Sequence, residues 1–518
     1  MPSSTLSGTH SFDSVLPNWL TPYLEHSVLK EICEDFGSPF NLNDTSTFKE
    51  NIAELRSYSE SLELEIKPFF ARKANKCLGY IQAAKNKGIG VDVASFAELE
   101  QVLNAEIPGR DIVCSAAIKN MELIELSVRN HVTIAADNLN ELREIASIAN
   151  RLRKTVEICP RIAGFTFQSK TNSSRFGFSI STLPELAREL KSNKLFDKIN
   201  CVGLHFHLTG YAAKDRHMAL AELVDTVESC EALKETIRFI DIGGGFPVQY
   251  VQQPEGWRAF WSAQHESLRS QAEQSDPQYI TDKAESPTSL FNSRGATALI
   301  KQSDVYPVCQ KPADLQWFQT LVGVGTSNDL RARLKKLEVI LHCEPGRWLL
   351  KNCGATIARV AVVKRDTYGR QCVFVEMNHT QCRTGSKEFF VDPLLISDTE
   401  LSEVEPSAND FSLANGKQSS EAHIYGAYCT ENDLIFARSF QFKSEPRVGQ
   451  FLVILNTAGY FMHFHESRSH QLPLAANLLV QPKGMLQQDP IDQIYGDDRY
   501  TARSYNYLKS ESGCLKSA

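Results

Sequence analysis

The fold is decided by the stretch Ile66-Lys67-Pro68-Phe69-Phe70-Ala71-Arg72-Lys73-Ala74-Asn75, in which an apolar strand ends at a lysine followed by small polar residues. Outward from it, between about Thr47 and Arg347, short apolar or β-branched runs alternate with longer stretches of helical periodicity. Such alternation is typical of a parallel sheet built from βα units. The sequence therefore predicts a domain of the α/β class.

Eight strands are predicted, which favours a (β/α)8 TIM barrel over a doubly wound sheet. They are Ile66–Ala71, Gly90–Val93, Asp111–Ser115, Val132–Ala135, Thr155–Ile162, Cys201–His207, Phe239–Ile242 and Val339–Cys343. Helical spacing marks Ser95–Leu103, Asn138–Ala149 and Leu183–Leu190. Asp137 or Asn138 is the expected N-cap of the second of these helices.

After Arg347 the pattern changes to short strands separated by turn residues, which predicts a mostly β sandwich domain. These strands are Ala355–Lys364, Gln371–Glu376, Ala422–Gly426, Leu434–Gln441 and Phe451–Leu455, joined by Pro39–Leu42 from the N-terminal side. The expected organisation is an N-terminal extension 1–28, a segment 29–47 of the β domain, the barrel 48–347, the β domain 348–505 and a tail 506–518. A polar insertion at about 252–314 interrupts the barrel, and 402–420 reads as a polar, acidic surface loop.

Composition excludes several classes of function. Hydrophobic residues make up 42% and charged residues 23% of the 518 residues, as in soluble enzymes, and the formal charge of −7 provides no basic surface for nucleic acid. No secretory signal or membrane span is visible. The 13 cysteines show neither paired nor zinc-type spacing, so a reducing cytoplasm without metal or disulfides is expected.

Lys73 and a triple glycine are the first candidates for chemistry. A lysine at the carboxyl end of a barrel strand can be desolvated, which lowers its pKa and prepares it for a Schiff base. By itself this fragment favours the alternative, a surface lysine in a βα loop. Gly243, Gly244 and Gly245 directly follow another strand, where their N–H groups can cradle a phosphate. A flexible turn is the alternative for the glycines.

Glu344 and Arg347 close a third strand in His342-Cys343-Glu344-Pro345-Gly346-Arg347. A carboxylate can hold a protonated ring nitrogen and a guanidinium can pair with a phosphate, although a structural salt bridge within the turn is the alternative. His205 and His207 share one face of a fourth strand. Because no further ligand lies at short spacing, ring stacking by one of them is favoured over metal binding.

In their order along the chain, the fragments ARKAN, HFHLTG, DIGGGFP, EPGRW and YCTEND resemble the fold-type III decarboxylases that use pyridoxal phosphate, such as the diaminopimelate, ornithine and arginine decarboxylases. The resemblance covers about residues 29–480. It implies an alanine racemase-like barrel with a β sandwich, in a homodimer whose active sites lie across the subunit interface. The implied activity is decarboxylation of an amino acid.

The resemblance also assigns roles to individual residues. Lys73 bonds to pyridoxal phosphate, His207 stacks on its ring and Glu344 pairs with the ring nitrogen. The phosphate is held by Gly243, Gly244 and Gly245 with Arg347, and it is contacted by Tyr460 of the segment NTAGY. Cys429 of YCTEND enters the partner's site and reprotonates the carbanion. Without the barrel motifs, Cys429 and Tyr460 would both read as core residues.

Departures from the family pattern leave the substrate open. The acid that contacts a distal amine is replaced by Thr430, and Glu431 or Asp433 is the candidate replacement. Arg383 is followed by Thr384 where diaminopimelate decarboxylases have an Arg-Pro segment, which disfavours diaminopimelate. Lysine, ornithine, a D-amino acid or a siderophore precursor fits the pattern. An amino acid racemase and a non-catalytic regulatory homologue are the alternatives, but racemases carry an arginine at the position of Glu344.

Overall fold

The computed structural model describes residues 12–167, 170–262, 306, 308–384, 391–398, 421–436, 438–442, 444–467, 469–494 and 504–506. The chain forms two compact units. The barrel unit consists of Phe48–Val248 and Gln310–Leu349, and the sheet unit consists of Met1–Thr47, Gln249–Cys309 and Leu350–Ala518. The predicted loop 402–420 and most of the predicted insertion lie outside the described residues.

The barrel unit contains one sheet of parallel strands. In spatial order they are Ile199–Cys201, Val156–Ile158, Thr133–Ile134, Ile112–Cys114, Gly90–Val93, Ile66–Ala71, Ile340–Cys343, Phe239–Asp241 and Gly203–His205. The first and last of these are consecutive in the chain and are separated by Val202 alone, and Arg161 bridges to His205. The sheet is therefore a nearly closed barrel, and the expected α/β barrel class is confirmed.

Several predicted strands are shorter in the structure, such as Thr155–Ile162, which is the strand Val156–Ile158, and one of them is broken in two. Cys201–His207 was expected as a single strand, but the structure has Ile199–Cys201 on one neighbour and Gly203–His205 on the other. The interruption at Val202 has a geometric cause, because its N–H bonds to Ile158 while its carbonyl accepts from Arg238 on the opposite side. A single broken strand thus closes the barrel.

Helices accompany the barrel strands in the chain, at Thr45–Leu62, Leu78–Lys87, Phe96–Asn104, Met121–Arg129, Leu139–Leu152, Leu183–Ser192, Ala213–Ser229, Glu231–Thr236, Asp314–Val322 and Leu330–Lys336. Leu139–Leu152 illustrates why these segments are helical. Asn138 caps it by accepting from the Glu141 N–H, and its apolar face is buried in a cluster with the neighbouring helix and strand. Asn138, and not Asp137, is therefore the N-cap.

The sheet unit is mostly β, as expected. Its strands are Phe40–Asn43, Gly354–Arg365, Gln371–Val375, Leu394–Ile396, Glu421–Tyr425, Phe440–Gln441, Phe451–Leu455, Ala476–Val480, Met485–Gln488 and Ser504–Asn506, with helices His26–Phe36 and Ile491–Ile494. The long strand Gly354–Arg365 changes register between Val360 and Val362, so that its first half pairs with Phe451–Leu455 and its second half with Gln371–Val375. Hydrogen bonding thereby joins all the strands into one network.

Three further observations complete the fold. No helix in the described part of the chain combines the length and the apolar character needed to cross a bilayer. The described cysteines are free thiols, and most of them are buried. Phe12 of the predicted N-terminal extension donates its N–H to Asp392 Oδ2 at 2.7 Å and packs against Trp257, so this extension is part of the sheet unit.

Candidate active site

Lys73 lies in a single 3-10 turn, Arg72–Ala74, directly after the barrel strand Ile66–Ala71. The buried Arg72 guanidinium holds this turn by donating to two main-chain carbonyls just beyond it and to Gln101 Oε1 at 2.9 Å. Because a charged, planar donor binds several acceptors at once, it fixes the chain locally. The lysine is thus presented from a rigid strand end.

Asp92 lies within the neighbouring strand Gly90–Val93 and forms an ion pair with Lys73. Its Oδ2 lies 2.7 Å from Lys73 Nζ, and its Oδ1 accepts from Ser115 Oγ at 2.5 Å. Burial, and then the charge of Glu344, raise the pKa of Asp92 to about 7 against the opposing effect of Lys73. The Lys73 side chain is 36% exposed and faces this carboxylate.

Glu344 is buried directly after the strand Ile340–Cys343. Its Oε1 lies 3.4 Å from Nε2 of the equally buried His205. Burial acts to raise the pKa of Glu344, but the charges of His205 and Lys73 outweigh burial and lower it to about 2. Glu344 is therefore the carboxylate of this site that stays ionised.

Asp241, at the end of the strand Phe239–Asp241, is a further buried carboxylate. Its Oδ1 accepts from the Gly243 N–H at 2.8 Å, and burial followed by the charge of Glu344 raises its pKa well above the usual range. Ligand atoms of His205, Asp241 and Glu344 lie within 4.8 Å of one another, close enough for a metal ion. The expectation that the site uses no metal stays a prediction.

In the triple glycine, Gly243 and Gly245 stand where a residue with a side chain does not fit. Gly243 and Gly245 have φ angles of 65° and 85°, in the left-handed region. A Cβ on Gly243 would lie 2.5 Å from His207 Nδ1, and one on Gly245 would lie 2.1 Å from Arg216 Nη2. The Gly244 N–H donates to His207 Nδ1 at 3.2 Å. Glycine is required here by backbone conformation and by close neighbours, and not for flexibility.

Arg216, in the helix Ala213–Ser229, stabilises the glycine loop through hydrogen bonds. Its fully buried guanidinium donates to the carbonyls of Leu208, Gly210 and Gly244 at 3.1, 2.8 and 3.1 Å. Burial lowers its pKa to about 10, so that it remains a cation at neutral pH. This arginine joins the loop after one strand to the loop after the next.

His207 and Arg347 complete the predicted residues of the barrel unit. His207 is accessible at the barrel mouth, yet loss of hydration there lowers its pKa to about 3, against the effect of Glu344. It is therefore neutral, as a ring-stacking group can be. Arg347 is half-buried and lies three residues beyond Glu344. The predicted residues of this unit follow strand ends on one face of the barrel, where barrel enzymes place their active sites.

Pyridoxal phosphate fits these residues. The buried Asp241 Oδ2 has no hydrogen-bond partner among the described residues, and the buried Glu344 Oε1 makes the 3.4 Å contact with His205 described above; such carboxylate oxygens suit a cationic ring nitrogen. The left-handed backbone of Gly243 and Gly245, directly after a barrel strand, suits a loop that binds a phosphate. Lys73 provides the amine. The barrel unit thus contains the amine, the carboxylate and the glycine cradle that the cofactor needs.

The predicted residues of the sheet unit lie in three of its loops. Cys429 is exposed, and its Sγ lies 3.1 Å from His470 Nε2. Tyr460 is half-buried with a left-handed φ of 67°, and its ring is 6.0 Å from that of Phe464. The Arg383 guanidinium lies 4.7 Å from the centre of the same Phe464 ring.

Asp433 and Glu431 differ sharply in exposure. Asp433 is buried, and its carboxylate accepts from the N–H and ring of His379 and from the Tyr428 N–H at 2.6 to 2.7 Å. These bonds join Asp433 to its own loop and to the loop of His379, and they leave it unsuited to contact a substrate. Glu431 is exposed. Of the two acids, Glu431 is the one that geometry leaves available.

Sequence reasoning missed Asp92, Asp241, Arg216 and the pairing of Cys429 with His470. A polar residue within an apolar strand run was the available signal for Asp92 in Gly90–Val93 and for Asp241 before the glycines. Arg216 gave no signal, because an arginine on a helix is ordinarily exposed.

Comparison with known proteins identifies the barrel unit. Residues 49–281 match the family model of the pyridoxal-dependent decarboxylases, pyridoxal binding domain. The uncharacterized protein y4yA of Sinorhizobium fredii is 28% identical over 86% of this chain and 88% of its own. A diaminopimelate decarboxylase of Campylobacter jejuni is 25% identical over 43% of this chain and 56% of the enzyme. The antizyme inhibitor 2 of Mus musculus is 27% identical over 35% of this chain and 39% of its own.

Solved structures agree on the fold. The diaminopimelate decarboxylase of M. jannaschii with L-lysine has a TM-score of 0.63 at 17% identity, covering 88% of this chain and 89% of that enzyme. The lysine/ornithine decarboxylase of Vibrio vulnificus with putrescine has a TM-score of 0.60 at 15% identity, covering 90% and 99%. The sequence match with the diaminopimelate decarboxylase of C. jejuni spans little more than half of that enzyme. Residues 49–281 are therefore similar to the pyridoxal binding domain of the pyridoxal-dependent decarboxylases, and the cofactor that this match indicates is pyridoxal phosphate.

Proposed function

We propose that the protein decarboxylates a basic or diamino acid, such as lysine or ornithine in the L or D configuration, or a siderophore precursor with an amino acid end. The observation that carries the proposal is Glu344, a buried carboxylate kept ionised beside Lys73 and Asp92. An ionised carboxylate stabilises a protonated ring nitrogen, which decarboxylation requires and an arginine would oppose.

In this proposal pyridoxal phosphate supplies the electron sink that accepts the charge left by loss of CO2. Lys73 binds the cofactor covalently, and Asp92 holds the lysine amine until it reacts. Glu344 keeps the proton on the ring nitrogen. His207, being neutral, stacks on the ring without repelling that proton. The loop Gly243–Gly245 and Arg347 bind the phosphate.

The sheet unit is proposed to supply the remaining groups. Cys429 donates the proton that replaces CO2, Tyr460 contacts the phosphate, and Glu431 attracts a distal amine. Arg383 is the candidate for a second substrate group. Asp433 is assigned to holding the loop, because its carboxylate already accepts hydrogen bonds from His379 and Tyr428. As the family resemblance implies, we propose a homodimer in which Cys429 and Tyr460 reach a shared site.

The second candidate function is that of a non-catalytic regulator, which the relative named antizyme inhibitor 2 favours. Such a protein need not retain the cofactor chemistry, yet Lys73, Glu344 and Cys429 are all present in this chain. A racemase is the second enzymatic alternative. Racemases keep the carboxyl group on the substrate, so release of CO2 separates them from a decarboxylase.

The test is a CO2-release screen of the purified protein with pyridoxal phosphate over both enantiomers of lysine, ornithine, arginine and diaminopimelate. Chiral analysis of the unreacted amino acid runs in parallel. The proposal requires CO2 and an amine from at least one basic or diamino acid. Inverted substrate without CO2 indicates a racemase. A protein that binds the cofactor and transforms none of the amino acids supports the regulator.

A further inference from the structure

We propose that His470 is a positioning residue that orients Cys429 and returns to it the proton that it gives to the substrate. This inference rests on the role proposed for Cys429. The Sγ of Cys429 lies 3.1 Å from His470 Nε2, a hydrogen-bond contact between segments 41 residues apart in the chain. Cys429 is exposed, whereas the other described cysteines are buried or half-buried.

The imidazole is held on two sides. The ring of His470 stacks on that of Tyr428, with centroids 4.5 Å apart and planes 18° apart. Its Nδ1 lies 3.3 Å from Ser469 Oγ. With both contacts in place, the remaining ring nitrogen faces the sulfur.

The backbone at each end of this contact is also restrained. His470 has a left-handed φ of 61°, which a residue with a Cβ adopts only where its surroundings enforce it. Tyr428 is anchored through its N–H, which donates to the buried Asp433 carboxylate at 2.7 Å. A chain of contacts thus runs from Asp433 through Tyr428 and His470 to Cys429. It explains why Asp433 is buried and internally bonded.

The geometry allows a balanced proton cycle. When CO2 has left, the Cys429 S–H bond breaks and a C–H bond forms at the substrate carbon, which leaves a thiolate. Imidazolium His470 then gives its Nε2 proton to the thiolate, and the neutral ring takes a proton from solvent. The net reaction consumes one solvent proton for each CO2 released. Without His470 the thiolate would depend on direct collision with a proton donor in water.

Two readouts test the pair. The first is the rate of alkylation of Cys429 by iodoacetamide, followed by peptide mass mapping of the holoprotein, which needs no turnover. Because the imidazole, 3.1 Å from the sulfur, can take the thiol proton as the sulfur attacks the reagent, His470→Ala should slow alkylation about tenfold. The exposed His131, changed in His131→Asn, is the matched control and should leave the rate unchanged.

The second readout is the fate of the substrate carbon with whichever amino acid releases CO2. Slow proton delivery allows the proton to add to the cofactor carbon instead, which after hydrolysis gives an aldehyde and pyridoxamine phosphate. His470→Ala should therefore raise the aldehyde fraction and lower turnover about tenfold or more. His470→Gln can still bond to the sulfur but cannot relay a proton, so it should behave like His470→Ala. Added imidazole should restore His470→Ala and leave Cys429→Ala unchanged.

The outcomes separate the two proposals. If Cys429→Ala itself turns over and partitions like wild type, the role of Cys429 in the proposed function is wrong. If Cys429→Ala is impaired while His470→Ala matches wild type in both readouts, the inference about His470 alone is overturned. If His470→Gln turns over normally while His470→Ala is defective, His470 acts only as a steric support for Cys429. That result would also overturn the proton cycle.

Discussion

Three carboxylates lie in or directly after barrel strands, those of Asp92, Asp241 and Glu344. Whether each is protonated depends on its surroundings. Burial and mutual repulsion raise the pKa values of Asp92 and Asp241, while His205 and Lys73 lower that of Glu344. When like charges share a buried site, their pKa values separate in this way. One fixed negative charge thus remains at Glu344, next to the place where a cationic ring nitrogen is expected.

Lys73→Ala should abolish turnover and leave the fold intact. The substitution removes the amine that binds the cofactor, while Arg72 still holds the turn through its own hydrogen bonds. We expect the long-wavelength absorbance of the bound cofactor to disappear and the far-ultraviolet circular dichroism to stay unchanged. Lys67→Ala, on the same strand and paired with Asp111, is the matched control and should keep both signals. Near-normal CO2 release from the Lys73 variant would show that Lys73 is not the lysine that binds the cofactor.

Glu344→Gln should lower the decarboxylation rate about 100-fold or more with a much smaller effect on cofactor affinity. The amide fills the same space but no longer stabilises the ring proton, while the phosphate cradle is untouched. Because the pKa of Glu344 is lowered to about 2, its ionisation should not limit the wild-type rate anywhere above about pH 4. The measurements are single-turnover CO2 release and cofactor titration by absorbance. Weak cofactor binding with an unchanged rate would contradict this role.

At the residue scale, sequence reasoning found the groups that directly follow a strand in recognisable motifs, namely Lys73, His207, the glycines and Glu344. It offered Glu431 or Asp433 as the substrate contact, because spacing alone does not reveal which of the two is buried. Asp433 is instead bonded to His379 and Tyr428. The contact of Cys429 with His470 could not be predicted, because it joins two loops that share no periodic pattern.

At the scale of elements, strands with a clear local sequence pattern were predicted, whereas a strand defined by long-range pairing was missed. The strands Ile66–Ala71 and Gly90–Val93 were predicted with their observed ends, since both are buried apolar runs bounded by turn signals. Ala476–Val480 was missed. It pairs in parallel with Phe40–Asn43 from the other end of the chain, and such pairing leaves no local signal. Met485–Gln488, which lies between Ala476–Val480 and Ser504–Asn506 in the sheet, was missed as well.

The strand Ile340–Cys343 contains a titrating group that should make stability depend on pH. His342 is buried, with its ring stacked 3.9 Å from that of Phe239 and tilted at 4.9 Å from that of Phe69. Burial lowers its pKa to about 3, so the folded protein keeps it neutral while the unfolded chain protonates it below about pH 6.5. Since the unfolded state binds more protons in this interval, stability falls as the pH falls.

His342→Phe should weaken this dependence. Between about pH 6 and pH 4, the free energy of unfolding of the wild type should decrease more steeply than that of the variant, by about 1.4 kcal/mol per pH unit. Urea unfolding at several pH values measures the difference, and any constant effect of the substitution cancels in the slope. The exposed His131, replaced in His131→Asn, serves as control and should follow the wild type. Parallel slopes for His342→Phe and the wild type would show that His342 is not the titrating group.

At the scale of the whole molecule, the proposed catalytic groups are divided between the two compact units. Lys73, His207 and Glu344 belong to the barrel unit, and Cys429 and Tyr460 belong to the sheet unit. Exposure of Cys429 is consistent with a thiol that acts outside its own unit. The expected homodimer offers a physical explanation, because in a symmetric dimer each site can take its cysteine from the partner chain.

Mixing two inactive variants tests this arrangement. Lys73→Ala and Cys429→Ala homodimers should each work poorly, since every site lacks one group. A mixed dimer has one doubly damaged site and one site with both groups, because Lys73 and Cys429 of a site come from different chains. Random exchange places about half of the dimers in the mixed class, so activity should recover to about a quarter of the wild type. Mass spectrometry of a tagged variant verifies exchange independently. With exchange verified, an inactive mixture would mean that each site is built within one chain.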